Sequence, residues 1–237
     1  MMWIFSIIMS VMVLGCGQSL PGTSRNSPAS FMDTYRLRFL ALGDSYTIGE
    51  SVDERERWPV QLAGMLREQK IDIADPVIIA CTGWTTDELD AAIDRENLQE
   101  PFDLVSLLVG VNNQYRERDR EEYREQFKRL LQRAIGFAGG DSSHVIVLSI
   151  PDWGVMPFAE GRDRKKIAQE IDDFNAINRE ETERSGAHYV DVTPLSRDAA
   201  SDMSFIASDG LHPSGKMYEE WARLVLPKAI KMLGERK

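Results

Sequence analysis

The sequence predicts an α/β fold, a three-layer α/β/α sandwich built on about five parallel strands. Short apolar segments of strand length alternate with longer segments whose apolar residues recur at helical spacing. This alternation indicates parallel strands joined by crossover helices, with both faces of the sheet covered. Hydrophobic residues make up 43% of the 237 residues, which is enough for one sizeable core and excludes a wholly disordered chain.

The predicted strands are apolar runs bounded by turn-forming or polar residues. In chain order they are Leu37–Leu42, Val77–Ala80, Leu104–Val109, Val145–Ile150 and Ala187–Val192. Their lengths are typical of strands in globular proteins.

The segments between these strands predict amphipathic helices. Their apolar stripes are Trp58, Leu62, Met65 and Leu66; Tyr123, Phe127, Leu130, Leu131 and Ala134; Ile167, Ile171, Phe174 and Ile177; and Met217, Trp221, Leu224 and Val225. Pro59 suits the first turn of a helix, and Thr85 with Glu88 forms a capping box that predicts another helix start. Pro227 predicts a bend in the last helix.

The first segment of the chain lies outside this pattern. Residues 1–24 carry no charged side chain, and the run from Trp3 to Leu14 is almost wholly apolar. A bilayer span needs about 20 apolar residues, so this shorter run suits the hydrophobic region of a signal peptide. The sequence Val-Leu-Gly-Cys ending at Cys16 resembles the lipobox of bacterial lipoproteins, in which the cysteine carries a diacylglycerol. A plain signal peptide, or a buried helix with an incidental cysteine, are the alternatives.

These features predict three parts of the chain. Residues 1–15 are a signal peptide, residues 16–35 are a lipidated N-terminus and a flexible tether rich in Ser, Gly and Pro, and residues 36–237 are the folded domain. Lipid on Cys16 would anchor the protein to a membrane of the bacterial cell envelope, and a secreted soluble form is the alternative. Cys81 would then be unable to form an internal disulfide and is expected to be a small buried residue.

The charge composition argues against a nucleic-acid partner. Asp and Glu number 38 against 28 Lys and Arg, the net charge is −10, and no basic run occurs. A nucleic-acid binder needs a basic face that displaces counterions. The sequence also lacks a metal-ligand cluster, a P-loop and a dinucleotide fingerprint, so neither a metal nor a cofactor is expected. Nothing in the pattern predicts an oligomeric state.

The candidate functional residues follow the carboxyl ends of the predicted strands, where parallel sheets bind ligands. The loops there are Gly43-Asp44-Ser45-Tyr46, Cys81-Thr82-Gly83-Trp84, Gly110-Val111-Asn112-Asn113 and, before the last helix, Asp209-Gly210-Leu211-His212-Pro213-Ser214. Together they offer a hydroxyl, a base, a carboxylate and amide donors. These are the components of acyl transfer.

The chain has three histidines, which simplifies the choice of base. His144 and His188 stand at the beginnings of predicted strands and therefore at the wrong edge of the sheet, whereas His212 is at the carboxyl edge. A second Gly-Asp-Ser, at 140–142, precedes a strand and is interpreted as a surface turn.

Taken in order, the four loops resemble the sequence blocks of the SGNH hydrolase superfamily, also called GDSL esterases and lipases, over roughly residues 36–233. The matching residues are Ser45 in the first block, Gly83 in the second, Asn112 in the third, and Asp209 and His212 in the last. The resemblance implies a flavodoxin-like fold. One departure is Asn113, which stands where the third block usually has Asp.

The resemblance also implies roles for these residues. Ser45 is the nucleophile, His212 the base and Asp209 the residue that orients His212. The oxyanion hole consists of the Ser45 N–H, the Gly83 N–H and the Asn112 side-chain amide. No metal or cofactor takes part. Candidate substrate contacts beside these residues are Tyr46, Trp84, Asn113 and Tyr115.

We therefore expect a serine ester hydrolase that cleaves small or medium acyl esters, small molecules, through an acyl-serine intermediate. A carbohydrate O-deacetylase or a thioesterase with the same machinery is one alternative. A noncatalytic envelope lipoprotein with a binding cleft is an alternative of another class. The presence of Ser45, Asp209 and His212 together argues against the latter, because a binding module need not keep all three.

Overall fold

The structure is a computed structural model that describes residues 36–96, 98 and 101–234. Its strands in this part of the chain are β1 (Phe39–Gly43), β2 (Val77–Ala80), β3 (Leu104–Leu108), β4 (Val145–Leu148) and β5 (His188–Val190). They form one sheet in the order β2-β1-β3-β4-β5, and every pairing is parallel. The predicted fold class is confirmed. The predicted signal peptide and tether, with Cys16, lie outside the described residues.

Each predicted strand corresponds to an observed strand, but most are shorter than the apolar runs. Leu37 makes only an isolated bridge to Ile73 before β1 begins. At the other end of the sheet, the Ile150 N–H donates to the Asn175 side chain at 2.8 Å rather than to a strand. An apolar run is therefore longer than the strand it contains wherever the backbone groups at its ends form hydrogen bonds outside the sheet.

The described helices are α1 (Ser45–Ile48), α2 (Trp58–Glu68), α3 (Thr86–Ile93), α4 (Val111–Tyr115), α5 (Arg120–Phe137), α6 (Arg164–Ser185), α7 (Thr193–Asp198) and α8 (Gly215–Gly234). The capping box that predicts a helix start is present, because the Thr85 N–H donates to Glu88 at 2.9 Å. Leu224 is an exception to the predicted stripe of α8, with 42% of its surface exposed, and α8 continues through Pro227.

The helices cover both faces of the sheet. One layer contains α2 packed against α8, and the other contains α5 packed against α3 and α6. This division is expected from the strand order, because the connection from β1 to β2 runs in one direction along the sheet and the later connections run in the other, and crossovers between parallel strands are almost always right-handed. The central strands β1, β3 and β4 are accordingly buried along their whole length. Within the described residues no helix is long and apolar enough to cross a membrane.

The strand order determines where a ligand can bind. The chain leaves β1 toward β2 and later returns to β3 on the other side of β1, so the direction of the strand order reverses between β1 and β3. The loops that follow these two strands diverge toward opposite faces and leave a crevice at the carboxyl edge.

Candidate active site

A cavity of about 190 Å³ lies at the carboxyl edge of the sheet, in this crevice. Its lining includes six residues that the sequence identifies as candidates: Ser45, Tyr46, Gly83, Asn112, Tyr115 and His212. The other lining residues are Thr82, Val111, Trp153, Phe158 and Leu211. Residues from four separate loops therefore meet at one site, as expected from the positions of the loops after their strands.

Ser45 is positioned by an abrupt transition from strand to helix. It is the first residue of α1 and is separated from β1 by Asp44 alone. The Asp44 carboxylate caps this short helix by accepting the Tyr46 N–H at 3.1 Å. Gly43 permits the transition, because a Cβ atom there would lie 2.5 Å from the Leu108 carbonyl oxygen of β3.

Asp44 itself is fully buried beneath the site. Burial raises the pKa of its carboxyl to about 7, against the effect of hydrogen bonds from the backbone N–H groups of Tyr46 and Gly110. Its second oxygen, Oδ2, is buried with no hydrogen-bond partner among the described residues. Asp44 is therefore a buried carboxyl with one unpartnered oxygen, and it is held there at an electrostatic cost.

Asp209 and His212 lie in one tight loop. The Asp209 Oδ1 atom accepts the backbone N–H groups of Leu211 and His212, each at 2.9 Å, and Oδ2 lies 2.5 Å from His212 Nδ1. The Ser51 hydroxyl also donates to Oδ2, at 2.7 Å. Burial opposes ionisation of this carboxyl, but hydrogen bonds from His212, Ser51 and Leu211 hold its pKa well below the usual range.

An ionised carboxylate can only accept, so it fixes the tautomer of the neutral imidazole. Nδ1 of His212 carries the proton that is donated to Asp209, and Nε2 is left with a free lone pair. The imidazole is nearly fully buried and packs edge-on against the Tyr46 ring, with centroids 5.7 Å apart. The geometry thus supplies an oriented base beside the cavity that Ser45 lines.

The predicted amide donors come from the loops after β2 and β3. Gly83 has φ +88°, a left-handed conformation that favours glycine, and its carbonyl accepts from Arg116 at 2.6 Å. The Asn112 amide donates one N–H to the Trp84 carbonyl at 2.9 Å. Because an amide nitrogen carries two protons, this bond fixes the Asn112 side chain and leaves its second N–H available.

Two of the four predicted substrate contacts do not line the cavity. The Asn113 side chain is buried and forms two hydrogen bonds with Thr86. Its oxygen accepts the Thr86 backbone N–H at 3.1 Å, and its amide N–H donates to the Thr86 hydroxyl at 2.8 Å. It joins α4 to α3 and is not among the residues that line the cavity. Trp84 is also outside the lining, because its ring packs against the hydrophobic core. In the same loop, Cys81 is exposed rather than buried.

The structure adds an aromatic rim to the site, formed by Tyr115, Trp153 and Phe158. Ring centroids are 5.5 Å apart for Tyr115 and Trp153 and 6.0 Å apart for Trp153 and Phe158. The Arg162 guanidinium lies 5.2–5.3 Å from all three centroids. Trp153 and Phe158 are not among the predicted substrate contacts, although they follow the carboxyl end of β4, where the same rule applies.

The second Gly-Asp-Ser is a surface turn, as predicted. Asp141 caps a short 3-10 turn at Ser142–His144 that leads directly into β4, and it accepts the Ser143 N–H at 2.9 Å. His188 is the first residue of β5 and pairs with Ile146. Both histidines are therefore at the amino edge of the sheet, opposite the cavity.

The chain is similar to a known protein family and to several solved structures. The model of the GDSL-like lipase/acylhydrolase family matches residues 41–220. Among solved structures, TesA matches with a TM-score of 0.63 and 19% identity, over 83% of this chain and 99% of TesA. The acetylxylan esterase Axe2 from Geobacillus stearothermophilus matches with a TM-score of 0.60 and 17% identity, over 84% of this chain and 95% of Axe2.

A third solved structure, the lipase/acylhydrolase from Enterococcus faecalis, matches with a TM-score of 0.62 and 20% identity, over 85% of this chain and 97% of that protein. At these identities the solved structures establish a common fold alone. The comparison with curated proteins found no match. Because the family model spans most of the chain, the protein belongs to the GDSL-like lipase/acylhydrolase (SGNH) family.

Proposed function

We propose that the protein is a serine esterase that cleaves small or medium acyl esters through an acyl-Ser45 intermediate. One observation carries the proposal: Ser45, His212, Gly83 and Asn112 line the same cavity, and the His212 Nδ1 atom lies 2.5 Å from Asp209. A nucleophile, an oriented base and amide donors around one cavity are the requirements of ester hydrolysis.

In the first half of the reaction, His212 Nε2 takes the proton of the Ser45 hydroxyl as Oγ forms a bond to the ester carbonyl carbon. The resulting imidazolium is stabilised by Asp209, which is ionised because its pKa is low. The carbonyl oxygen becomes an oxyanion that accepts hydrogen bonds from Ser45, Gly83 and Asn112. A donor of this kind typically contributes a factor of about 10²–10³ to the rate.

Collapse of this intermediate breaks the bond to the alcohol oxygen, and His212 gives its proton to the departing alcohol. In the second half, His212 removes a proton from water, and the water oxygen attacks the acyl-Ser45 carbonyl. The carboxylic acid leaves and the proton returns to Ser45.

The size of the cavity supports short acyl groups. Its volume of about 190 Å³ is below the ~300–1,000 Å³ of sites that enclose drug-sized ligands. A panel of p-nitrophenyl esters from acetate to palmitate tests this proposal. We expect kcat/KM to be highest for the shortest acyl chains.

A carbohydrate O-deacetylase is the second candidate, and the aromatic rim favours it. Tyr115 and Phe158 are 45% and 43% exposed beside the cavity, and flat aromatic faces of this kind suit the apolar faces of sugar rings. One solved structure with the same fold is an acetylxylan esterase. Acetylated xylan and an acyl thioester, assayed beside p-nitrophenyl acetate, would separate the deacetylase and thioesterase alternatives from the simple esterase.

Ester hydrolysis also decides between an enzyme and a noncatalytic binding lipoprotein. If the purified protein hydrolyses none of these substrates, the catalytic proposal fails and the binding protein becomes the better explanation. We further propose that Cys16 carries a lipid that anchors residues 36–237 in the bacterial cell envelope, supported by the apolar run and the lipobox-like sequence before it.

A further inference from the structure

Ser51 has an unfavourable backbone conformation close to the nucleophile. Its φ is +65°, and only two other non-glycine residues among those described have a positive φ. An L-residue with a Cβ atom disfavours this left-handed region, which glycine adopts without strain. The presence of Ser at this position therefore suggests that its side chain has a role that glycine could not fill.

The side chain of Ser51 contacts Asp209, 158 residues away in the sequence. Its hydroxyl donates to Asp209 Oδ2 at 2.7 Å, the same oxygen that lies 2.5 Å from His212 Nδ1. The hydrogen bonds to Oδ1 come from within the loop itself. Among the hydrogen bonds that the described residues make to this carboxylate, Ser51 supplies the one from outside residues 209–212.

The turn that carries Ser51 is attached to the nucleophile. The backbone N–H groups of Gly49 and Glu50 both donate to the Ser45 carbonyl oxygen, each at 3.0 Å. Ser51 follows directly, so one short turn is bonded to Ser45 at one end and to Asp209 at the other. The loop with the nucleophile and the loop with the base are thereby coupled.

We propose that Ser51 is a positioning residue whose hydroxyl holds the Asp209 carboxylate in the orientation that directs His212 toward Ser45. This proposal rests on the proposed ester hydrolysis. The hydrogen bond from this hydroxyl also partly neutralises the negative charge on Oδ2. The carboxylate therefore stabilises a protonated His212 less than it would without Ser51.

Two substitutions distinguish the effect of the Ser51 hydroxyl from the effect of its backbone conformation. Ser51→Ala removes the hydroxyl and keeps the strained conformation, whereas Ser51→Gly removes the hydroxyl and the strain together. We expect both variants to lose about tenfold in kcat on p-nitrophenyl acetate, the order of one hydrogen bond to a charged group. KM should stay near the wild-type value, and the acid limb of the kcat/KM profile should move to higher pH.

Ser143→Ala is the matched control. Ser143 is also an exposed serine that donates to an aspartate, Asp141, at 2.6 Å, but it lies at the opposite edge of the sheet. We expect this variant to keep the wild-type kcat and pH profile. Wild-type kcat in both Ser51 variants would overturn the proposal. A kcat restored in Ser51→Gly would also overturn it, because the backbone alone would then explain the effect of Ser51→Ala.

A measurement on the resting protein distinguishes failure of this proposal from failure of the esterase function. The proton between His212 Nδ1 and Asp209 should give a downfield signal in the ¹H NMR spectrum, which Ser51→Ala should shift and Ser143→Ala should not. An unchanged signal in Ser51→Ala would overturn the positioning role even in a protein that hydrolyses no ester. A shifted signal in such a protein would support the contact while the esterase function failed.

Discussion

Replacing Asp44 by Asn should remove a pH dependence of stability that arises directly beneath the proposed nucleophile. Burial raises the pKa of Asp44 from 3.8 to about 7. That shift means that the folded protein disfavours the ionised form of the carboxyl by ~4 kcal/mol relative to the unfolded chain. Asn has the same shape and is neutral at every pH, so the variant lacks this contribution.

The direction of this pH dependence follows from whether the folded or the unfolded state binds the Asp44 proton. Between pH 3.8 and about 7 the folded protein keeps the Asp44 proton, while the unfolded chain has lost it. The free energy of unfolding therefore falls as the pH rises through this window. Asp209 acts in the opposite sense, since its pKa is lowered, but its contribution is lost only below pH 3.8.

Urea unfolding of wild type and Asp44→Asn at a series of pH values from 4.5 to 8 would measure the effect. We expect the variant to be more stable relative to wild type at pH 8 than at pH 4.5, by about 3 kcal/mol. Titrations common to both proteins cancel in this difference. Asp198→Asn, at an exposed position, is the control. Its free energy of unfolding should change with pH in the same way as that of wild type. If Asp44→Asn also ran parallel to wild type, Asp44 would not be a buried group with a raised pKa.

The remaining predictions concern the proposed catalytic residues and the proposed anchor. Ser45→Ala should abolish hydrolysis of p-nitrophenyl acetate, whereas Ser142→Ala, in the second Gly-Asp-Ser, should leave it intact; the reverse result would refute the choice of nucleophile. Asp209→Asn should lower kcat by about 10³–10⁴-fold, because the amide favours the wrong tautomer of the imidazole; near-normal kcat would move the orienting role to another carboxylate or leave a dyad of Ser45 and His212 alone. Cys16→Ser should release the protein from the membrane fraction, and mass spectrometry of a mature protein without lipid on Cys16 would contradict the anchor.

Much of the fold follows from local patterns. The run at 77–80 predicts β2 with its observed bounds, and Thr85 with Glu88 predicts the start of α3. Short helices such as α1 and α4 were not predicted, because one turn of helix is too short to show a 3.6-residue period. These two helices begin at or beside Ser45 and Asn112, so hydrophobic periodicity gives little indication of the segments that hold the proposed nucleophile and the proposed amide donor.

The sequence by itself determined the alternation of the five strands with the longer helices, the edge of the sheet at which the cavity lies, and the loops that contribute Ser45 and His212. These conclusions need only local spacing and the rule that the carboxyl ends of parallel strands share an edge. Only the tertiary structure decided which loop side chains face the cavity. Asn113 points into the interface with Thr86, and Ser51 reaches Asp209 across 158 residues. The physical reason is that the direction of a loop side chain is set by the partners that packing brings to it, and those partners are distant in sequence.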